Sequence, residues 1–170
     1  MSAADHFDPY AILHALERQR VTYVLIGGFA RVIQGTEELT HGLDIVPALH
    51  AENLRRLQLA LEDLDAKPTH GRRLALDETT IRHEPIITVR SPHGELKIVP
   101  EPRGTRGGYD DLRRAASREP LGEGLRPSVA SISDLARMTA SLNREHDRPI
   151  LLQLRRLREL ERGLSREIER

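Results

Sequence analysis

The sequence predicts an α/β fold in which a small mixed sheet is flanked by helices and followed by a C-terminal helical extension. Short apolar runs rich in β-branched residues alternate with stretches whose apolar residues recur every three to four positions, as buried strands and amphipathic helices do. A chain of 170 residues is long enough for one domain with an extension and too short for two full domains. We therefore expect a core over residues 1–127 and a helical part over residues 128–170, packed on the core or extending from it.

The first half of the chain alternates helices and strands. Asp8-Pro9 is typical of a helix start, because Asp is a good N-cap and Pro is tolerated at the first helical position. Gly27-Gly28 ends the first β-branched run and Pro47 stops the second. The predicted elements are a helix over 10–20, a strand over 21–26, a helix over 29–33, a strand over 43–47 and a helix over 51–64.

The second half begins with a hairpin and ends in helices. Ser91-Pro92-His93-Gly94 has the composition of a turn and separates two apolar runs, which predicts an antiparallel pair. The predicted elements are strands over 85–89 and 95–99, a helix over 109–117, a short strand over 129–134 that runs into a helix over 133–143 capped at Ser133, and a helix over 149–168.

Composition excludes several classes of protein. Twenty-six Lys and Arg balance twenty-six Asp and Glu, so no overall basic field attracts nucleic acid or an anionic membrane. The absence of Cys excludes a disulfide scaffold, a Cys-based zinc site and a thiol nucleophile. No apolar run reaches the ~18–20 residues of a membrane span, and residues 1–10 lack the pattern of a signal peptide. We therefore expect a cytoplasmic protein with no membrane partner.

The eight histidines do not predict a zinc site. None forms an i, i+4 pair with another, and no Cys accompanies them. His41 is expected in a solvated turn. The histidines stand at positions 6, 14, 41, 50, 70, 83, 93 and 146.

The most informative segment runs from Tyr23 to Pro47. It contains a strand, Gly27-Gly28, a helix, Thr40 and the sequence Leu43-Asp44-Ile45-Val46. Later in the chain, Gly94-Glu95-Leu96-Lys97 precedes a loop rich in Pro and Gly and then Tyr109-Asp110-Asp111-Leu112.

With these motifs in this order, the sequence resembles the DNA polymerase β-like nucleotidyltransferase superfamily. Within it, the chain is similar to the short bacterial proteins grouped with the AbiEii-type toxins of type IV toxin–antitoxin systems. The resemblance covers roughly residues 10–66 and 91–112, and more weakly 129–157. It implies the nucleotidyltransferase fold, with Gly27, Gly28 and Thr40 at a nucleotide-binding site.

The same resemblance implies three metal-binding aspartates, of which this chain keeps one. Nucleotidyl transfer uses two Mg²⁺ ions about 3.5–4 Å apart, and these hard cations require oxygen ligands. Asp44 matches the family pattern, whereas Gly42 and Lys97 stand where the family has its other two aspartates. Glu38 stands where the family has an Arg. One carboxylate cannot hold two Mg²⁺, so we expect Lys97 to replace the metal and to form a salt bridge with Asp44. Glu95, on the same strand face as Lys97, is a weak substitute ligand.

Three functions remain open at this point. The first is a catalytically impaired nucleotidyltransferase-like protein of the AbiEii toxin type, which needs no cofactor and binds a nucleotide (NTP), RNA or a protein partner in a toxin–antitoxin-type system. The second is an active Mg²⁺-dependent enzyme that moves NMP onto RNA, protein or a small molecule, using Asp44, Glu95 and Glu38. The third is a structural interaction module in which the helix over 149–168 pairs with a second copy or another chain.

Overall fold

A seven-stranded mixed sheet forms the centre of the computed structural model, which describes residues 6–70 and 76–170. The strands are β1 (Tyr23–Ile26), β2 (Gly42–Pro47), β3 (Lys67–Pro68), β4 (Ile87–Ser91), β5 (Gly94–Ile98), β6 (Ser117–Arg118) and β7 (Ser128–Val129). Their order across the sheet is β3-β4-β5-β2-β1-β7-β6. The helices are α1 (Pro9–Arg18), α2 (Gly27–Gln34), α3 (Ala51–Asp63), α4 (Glu78–His83), α5 (Tyr109–Leu112), α6 (Ile132–Ser141) and α7 (Arg148–Ile168).

The middle of the sheet is built on β2. It pairs antiparallel with β1 and parallel with β5, and β5 pairs antiparallel with β4. The parallel register places Gly42 beside Glu95 and Asp44 beside Lys97. Because alternate residues of a strand point to the same face, these four positions share one face of the sheet.

The core is aliphatic, as the composition requires. In β2, Leu43 and Ile45 are fully buried, whereas Gly42 and Asp44, which alternate with them, are only half-buried. One face of β2 therefore packs into the core and the other borders open space. On the sheet, α2 packs against β1 and β2, α6 packs against α2, and α7 packs against α6.

Most of the predicted elements are present, including the mixed sheet flanked by helices. Asp8 caps α1 as predicted, its Oδ1 accepting a hydrogen bond from the Ala11 amide at 3.2 Å. The predicted hairpin is present as β4 and β5, shifted by one or two residues. The polar region 67–84 forms β3 and α4, with residues 71–75 outside the described part of the chain.

Two boundaries were predicted wrongly. The helix expected over 109–117 ends at Leu112, its buried residue, because no further apolar stripe follows, and residues 117–118 instead pair with β7. The helix expected to be capped at Ser133 is capped at Ser131, whose Oγ accepts a hydrogen bond from the Asp134 amide at 3.1 Å. The reason is that Ile132 is buried and belongs to the helix rather than to the strand before it.

The predicted C-terminal helix is present as α7, beginning at Arg148. Leu154 is buried, and the residues from Glu159 onward are exposed, including Leu160, Leu164 and Ile168. Within residues 6–70 and 76–170, no helix has both the length and the apolar character to cross a membrane. The pairing of α7 with a second copy or another chain stays a prediction, and so does the division of the chain after residue 127. β7, which follows that division, nevertheless pairs with β1 in the central sheet.

Candidate functional site

A cavity of about 330 Å³ opens beside β2 and β5, on the half-buried face of the sheet. It gathers six of the seven residues predicted for the site, the seventh being Gly27. Their roles stay predictions, but the fold brings them together. The lining residues are Gly28, Thr40, His41, Gly42, Asp44, Arg90, Ser91, Gly94, Glu95 and Lys97.

Gly27 is required by its contact with Asp44. Its φ of +75° lies in the left-handed region, and a Cβ built there would overlap the Asp44 carboxylate, with Cγ only 2.8 Å away. Gly28 is less constrained, since its Cβ would lie 3.2 Å from Glu38 Oε1. Thr40 donates its hydroxyl hydrogen to the Gly42 carbonyl at 3.1 Å, which shapes the entry into β2. The start of α2 therefore lies directly against the side chain of Asp44.

Asp44 is a carboxyl group in a poorly hydrated position. Burial raises its pKa above the usual 3.8, Glu95 adds to the rise, and the charges of Lys97 and Arg31 oppose it. The predicted salt bridge to Lys97 is wrong: in the described part of the chain, the ion pair of Lys97 Nζ is with Glu95 Oε1, at 3.8 Å. The register that places Asp44 beside Lys97 is present, but the flexible ammonium group turns along its own strand.

Glu95 lies between two cations. Its Oε1 contacts Lys97 Nζ, and its Oε2 lies 3.5 Å from Arg90 Nε on the neighbouring strand, directly opposite in register. The side chain of Glu95 is 30% exposed, so the paired ions keep part of their hydration. Both oxygens of Glu95 are therefore engaged by protein cations.

Gly42 has a steric reason to lack a side chain. A Cβ at this position would lie 2.8 Å from the Glu95 carbonyl oxygen and 3.3 Å from Glu95 Cβ. The backbone of β5 occupies the space that any side chain at position 42, including the aspartate that the resemblance implies, would need. A larger residue would force β2 and β5 apart.

A largely buried ion pair beside the cavity was missed by the sequence reasoning. Arg31 of α2 and Glu38 form a bidentate pair, with Nη2–Oε1 at 2.7 Å and Nε–Oε2 at 2.9 Å, and their side chains are only 11% and 13% exposed. Thr36 donates to Glu38 at 2.8 Å, and Arg31 donates to Thr139 at 3.3 Å. Glu38, which departs from the family pattern, thus balances a guanidinium supplied by α2. The sequence feature that could have predicted this ion pair is an Arg on a helix followed by a Glu in the next loop.

A second cavity of about 300 Å³ adjoins the first. Gly28, Asp44 and Lys97 line both, so the Asp44 side chain stands between them. The second cavity has a largely aliphatic wall and is also lined by three arginines, Arg31, Arg103 and Arg144. Its apolar lining residues include Ile26, Ile86, Val99, Leu135, Met138 and Leu142.

Comparison with known proteins identifies the fold. No family model and no curated protein matches the sequence. The lincosamide antibiotic adenylyltransferase LnuA, solved with lincomycin bound, superposes with a TM-score of 0.61 at 17% identity, over 89% of this chain and 99% of that one. The antibiotic-resistance factor ANT(2'')-Ia superposes with a TM-score of 0.55 at 14% identity in its solution structure, over 94% and 92% of the two chains. The crystal structure of ANT(2'')-Ia with adenylyl-2''-tobramycin superposes with a TM-score of 0.56 at 12% identity, over 92% of this chain and 88% of that one.

These similarities confirm the predicted nucleotidyltransferase fold. At 12–17% identity they define the fold and leave the reaction and the substrate open.

Glu38→Leu is expected to destabilise the protein by about 3 kcal/mol, because it leaves the Arg31 guanidinium buried without its partner. The double variant Arg31→Met with Glu38→Leu should recover most of that loss, since no unpaired charge remains. Urea unfolding of the parent, Glu38→Leu, Arg31→Met and the double variant measures both effects. Glu52→Leu, which removes an exposed pair with Arg55, is the control and should change the free energy of unfolding far less. Equal losses in the single and double variants would contradict the assignment.

Asp44→Asn is expected to gain stability relative to the unsubstituted protein as pH rises. The folded state holds the Asp44 proton at pH values where the unfolded chain has lost it, so ionisation of Asp44 costs folding free energy above its usual pKa of 3.8. Unfolding at about pH 3.5 and about pH 7 should show the advantage of the variant only at the higher pH. Asp110→Asn, at an exposed carboxylate paired with Arg113, should show no such gain. A constant difference at both pH values would refute the raised pKa.

Proposed function

We propose that this chain is a nucleotidyltransferase-like protein whose Mg²⁺-dependent transfer is impaired and that acts by binding a nucleotide or a partner. The observation that carries the proposal is the pairing of β2 with β5. At the two positions where carboxylates are expected, it places Gly42 against the Glu95 backbone and Lys97 beside Asp44.

The donor set does not fit two magnesium ions. Asp44 is a single carboxyl group with a raised pKa, and both oxygens of Glu95 already face cations. Two carboxylates and two cations, Arg90 and Lys97, sum to zero on this face of the sheet. A neutral site offers Mg²⁺ neither enough oxygen ligands nor an attractive field.

The cavity also carries groups that can bind an anion. Lys97, Arg90 and the Thr40 hydroxyl group line it, and α2 begins beside it without a side-chain cap. Helix N-termini and cationic side chains both bind phosphate. We propose that the phosphates of an NTP occupy this cavity, with Lys97 taking over part of the charge compensation that metal ions provide in active enzymes.

The AbiEii toxin type, a bacterial source, a cytoplasmic location, and RNA or a protein of a toxin–antitoxin-type system as partner belong to the same proposal. They are supported by the order of motifs, from Gly27-Gly28 through Thr40 and Asp44 to Tyr109-Asp110-Asp111-Leu112. The alternative, an active enzyme that uses Glu95 and Glu38, is weakened by the cations that engage both carboxylates.

Incubation with Mg²⁺ or Mn²⁺, labelled NTPs and total RNA is expected to give no nucleotide transfer. Calorimetry in EDTA should nevertheless show NTP binding, and Lys97→Ala should weaken it at least about tenfold, since a charge-assisted contact is worth about 1.5–3 kcal/mol. Lys67→Ala, which removes the exposed lysine of β3, is the matched control and should bind as the parent does. Robust transfer that Asp44→Ala abolishes would overturn the proposal.

Lys97→Asp is expected to create a Mg²⁺ site, because it sets a second carboxylate beside Asp44 and releases Glu95. Its affinity for Mg²⁺ by calorimetry should exceed that of Lys97→Asn by at least about tenfold, a difference of ~1.4 kcal/mol. Adding Gly42→Asp to the Lys97→Asp variant should lower the free energy of unfolding, because the new Cβ would collide with the Glu95 carbonyl oxygen. Equal Mg²⁺ binding by Lys97→Asp and Lys97→Asn would show that the missing carboxylate is not what prevents metal binding.

A further inference from the structure

Two histidines and an aspartate from distant parts of the sequence meet at the turn between β4 and β5. His6, Asp8 and His93 each offer a ligand atom, and the three atoms all lie within 4.8 Å of one another. The spacing of the histidines along the chain gave no sign of this cluster. It is assembled by the segment before α1, which crosses the hairpin turn.

The backbones that carry these side chains are held in place independently of any ion. The Asp8 amide donates to the His93 carbonyl at 2.8 Å, and the His93 amide donates to Ser91 Oγ at 3.1 Å. Between His6 and Asp8, the ring of Phe7 packs edge-on against Phe29, with centroids 6.1 Å apart. The ring also lies against Gly94, where a Cβ would come within 2.8 Å of it. Because the backbone is already held in place, a bound ion would need to order only the ligand side chains.

The ligand atoms have spare coordinating capacity. The capping hydrogen bond from Ala11 uses Oδ1 of Asp8, which leaves Oδ2 available. Within the described part of the chain, no hydrogen bond engages the imidazole of His6 or His93. His6 is exposed, so its ring can rotate inward.

We infer that His6, Asp8 and His93 form a binding site for Zn²⁺ or a divalent transition ion of similar ligand preference. Two imidazoles and one carboxylate are ligands that Zn²⁺ accepts, and three protein ligands leave a fourth position for water. Bonds of 2.0–2.2 Å place tetrahedral ligands ~3.4 Å apart, so side-chain rotation must bring the ligand atoms closer by up to about 1.4 Å. Ser91 and Gly94, on either side of His93, line the candidate cavity. A bound ion would tie the segment before α1 to the rim of that cavity.

The test is a chelator-competition titration of the full chain with Zn²⁺, on metal-free protein prepared without a histidine tag. One Zn²⁺ per chain is expected, and Co²⁺ should give a visible absorption band. His6→Gln and His93→Gln should each lower the affinity at least tenfold. Asp8→Asn should lower it too while keeping the helix cap, because Asn caps as well as Asp does. His83→Gln, at an exposed histidine of α4, should change nothing.

Thermal unfolding in the absence of metal separates loss of a ligand from loss of the fold. Variants that melt as the parent does and yet lose Zn²⁺ and the Co²⁺ band support the site. The inference is overturned if the folded parent chain binds no Zn²⁺. It is also overturned if the variants at positions 6, 8 and 93 bind as tightly as His83→Gln does.

Discussion

The parallel pairing of β2 with β5 is the constraint on which the candidate site depends. Its register sets Asp44 beside Lys97 and Gly42 beside Glu95, so the residues at positions 42 and 97 decide what the face can bind. Because Gly42 has no Cβ, the Glu95 backbone can approach to a distance at which a side chain would collide. The absence of a side chain at position 42 and the close packing of the two strands are therefore linked.

The zero net charge of the whole chain has a local counterpart at this face. Glu95 is paired with Arg90 and Lys97, whereas Asp44 forms no ion pair with any residue that the structure describes, and burial raises the pKa of Asp44. Each effect lowers the negative potential that a magnesium site needs. Under the proposed function, weak Mg²⁺ binding and the binding of a metal-free phosphate group would share this one electrostatic cause.

Local patterns predicted the elements, and side-chain contacts that form only in the folded chain account for the ion pairs that were missed or wrongly assigned. The Asp8 cap depends on the first turn of α1, and the strand of Asp44 depends on its apolar neighbours; both are visible in the sequence. The ion pair of Arg31 with Glu38 depends on how the loop after α2 folds back onto that helix, which no periodicity encodes. The partner of Lys97 depends on which of two nearby carboxylates, Asp44 or Glu95, its flexible side chain contacts.

The hairpin of β4 and β5 shows why spacing alone could not reveal the histidine cluster. A metal motif is visible in a sequence when one helix or turn supplies the ligands, because spacing then determines geometry. Here the packing of Phe7 against Phe29 and Gly94 brings His6 to His93, so geometry follows from the tertiary fold. The same hairpin carries Lys97 on the cavity face. An ion held at its turn would restrict the strand that sets the charge of the candidate site, which gives the two sites a physical means of influencing each other.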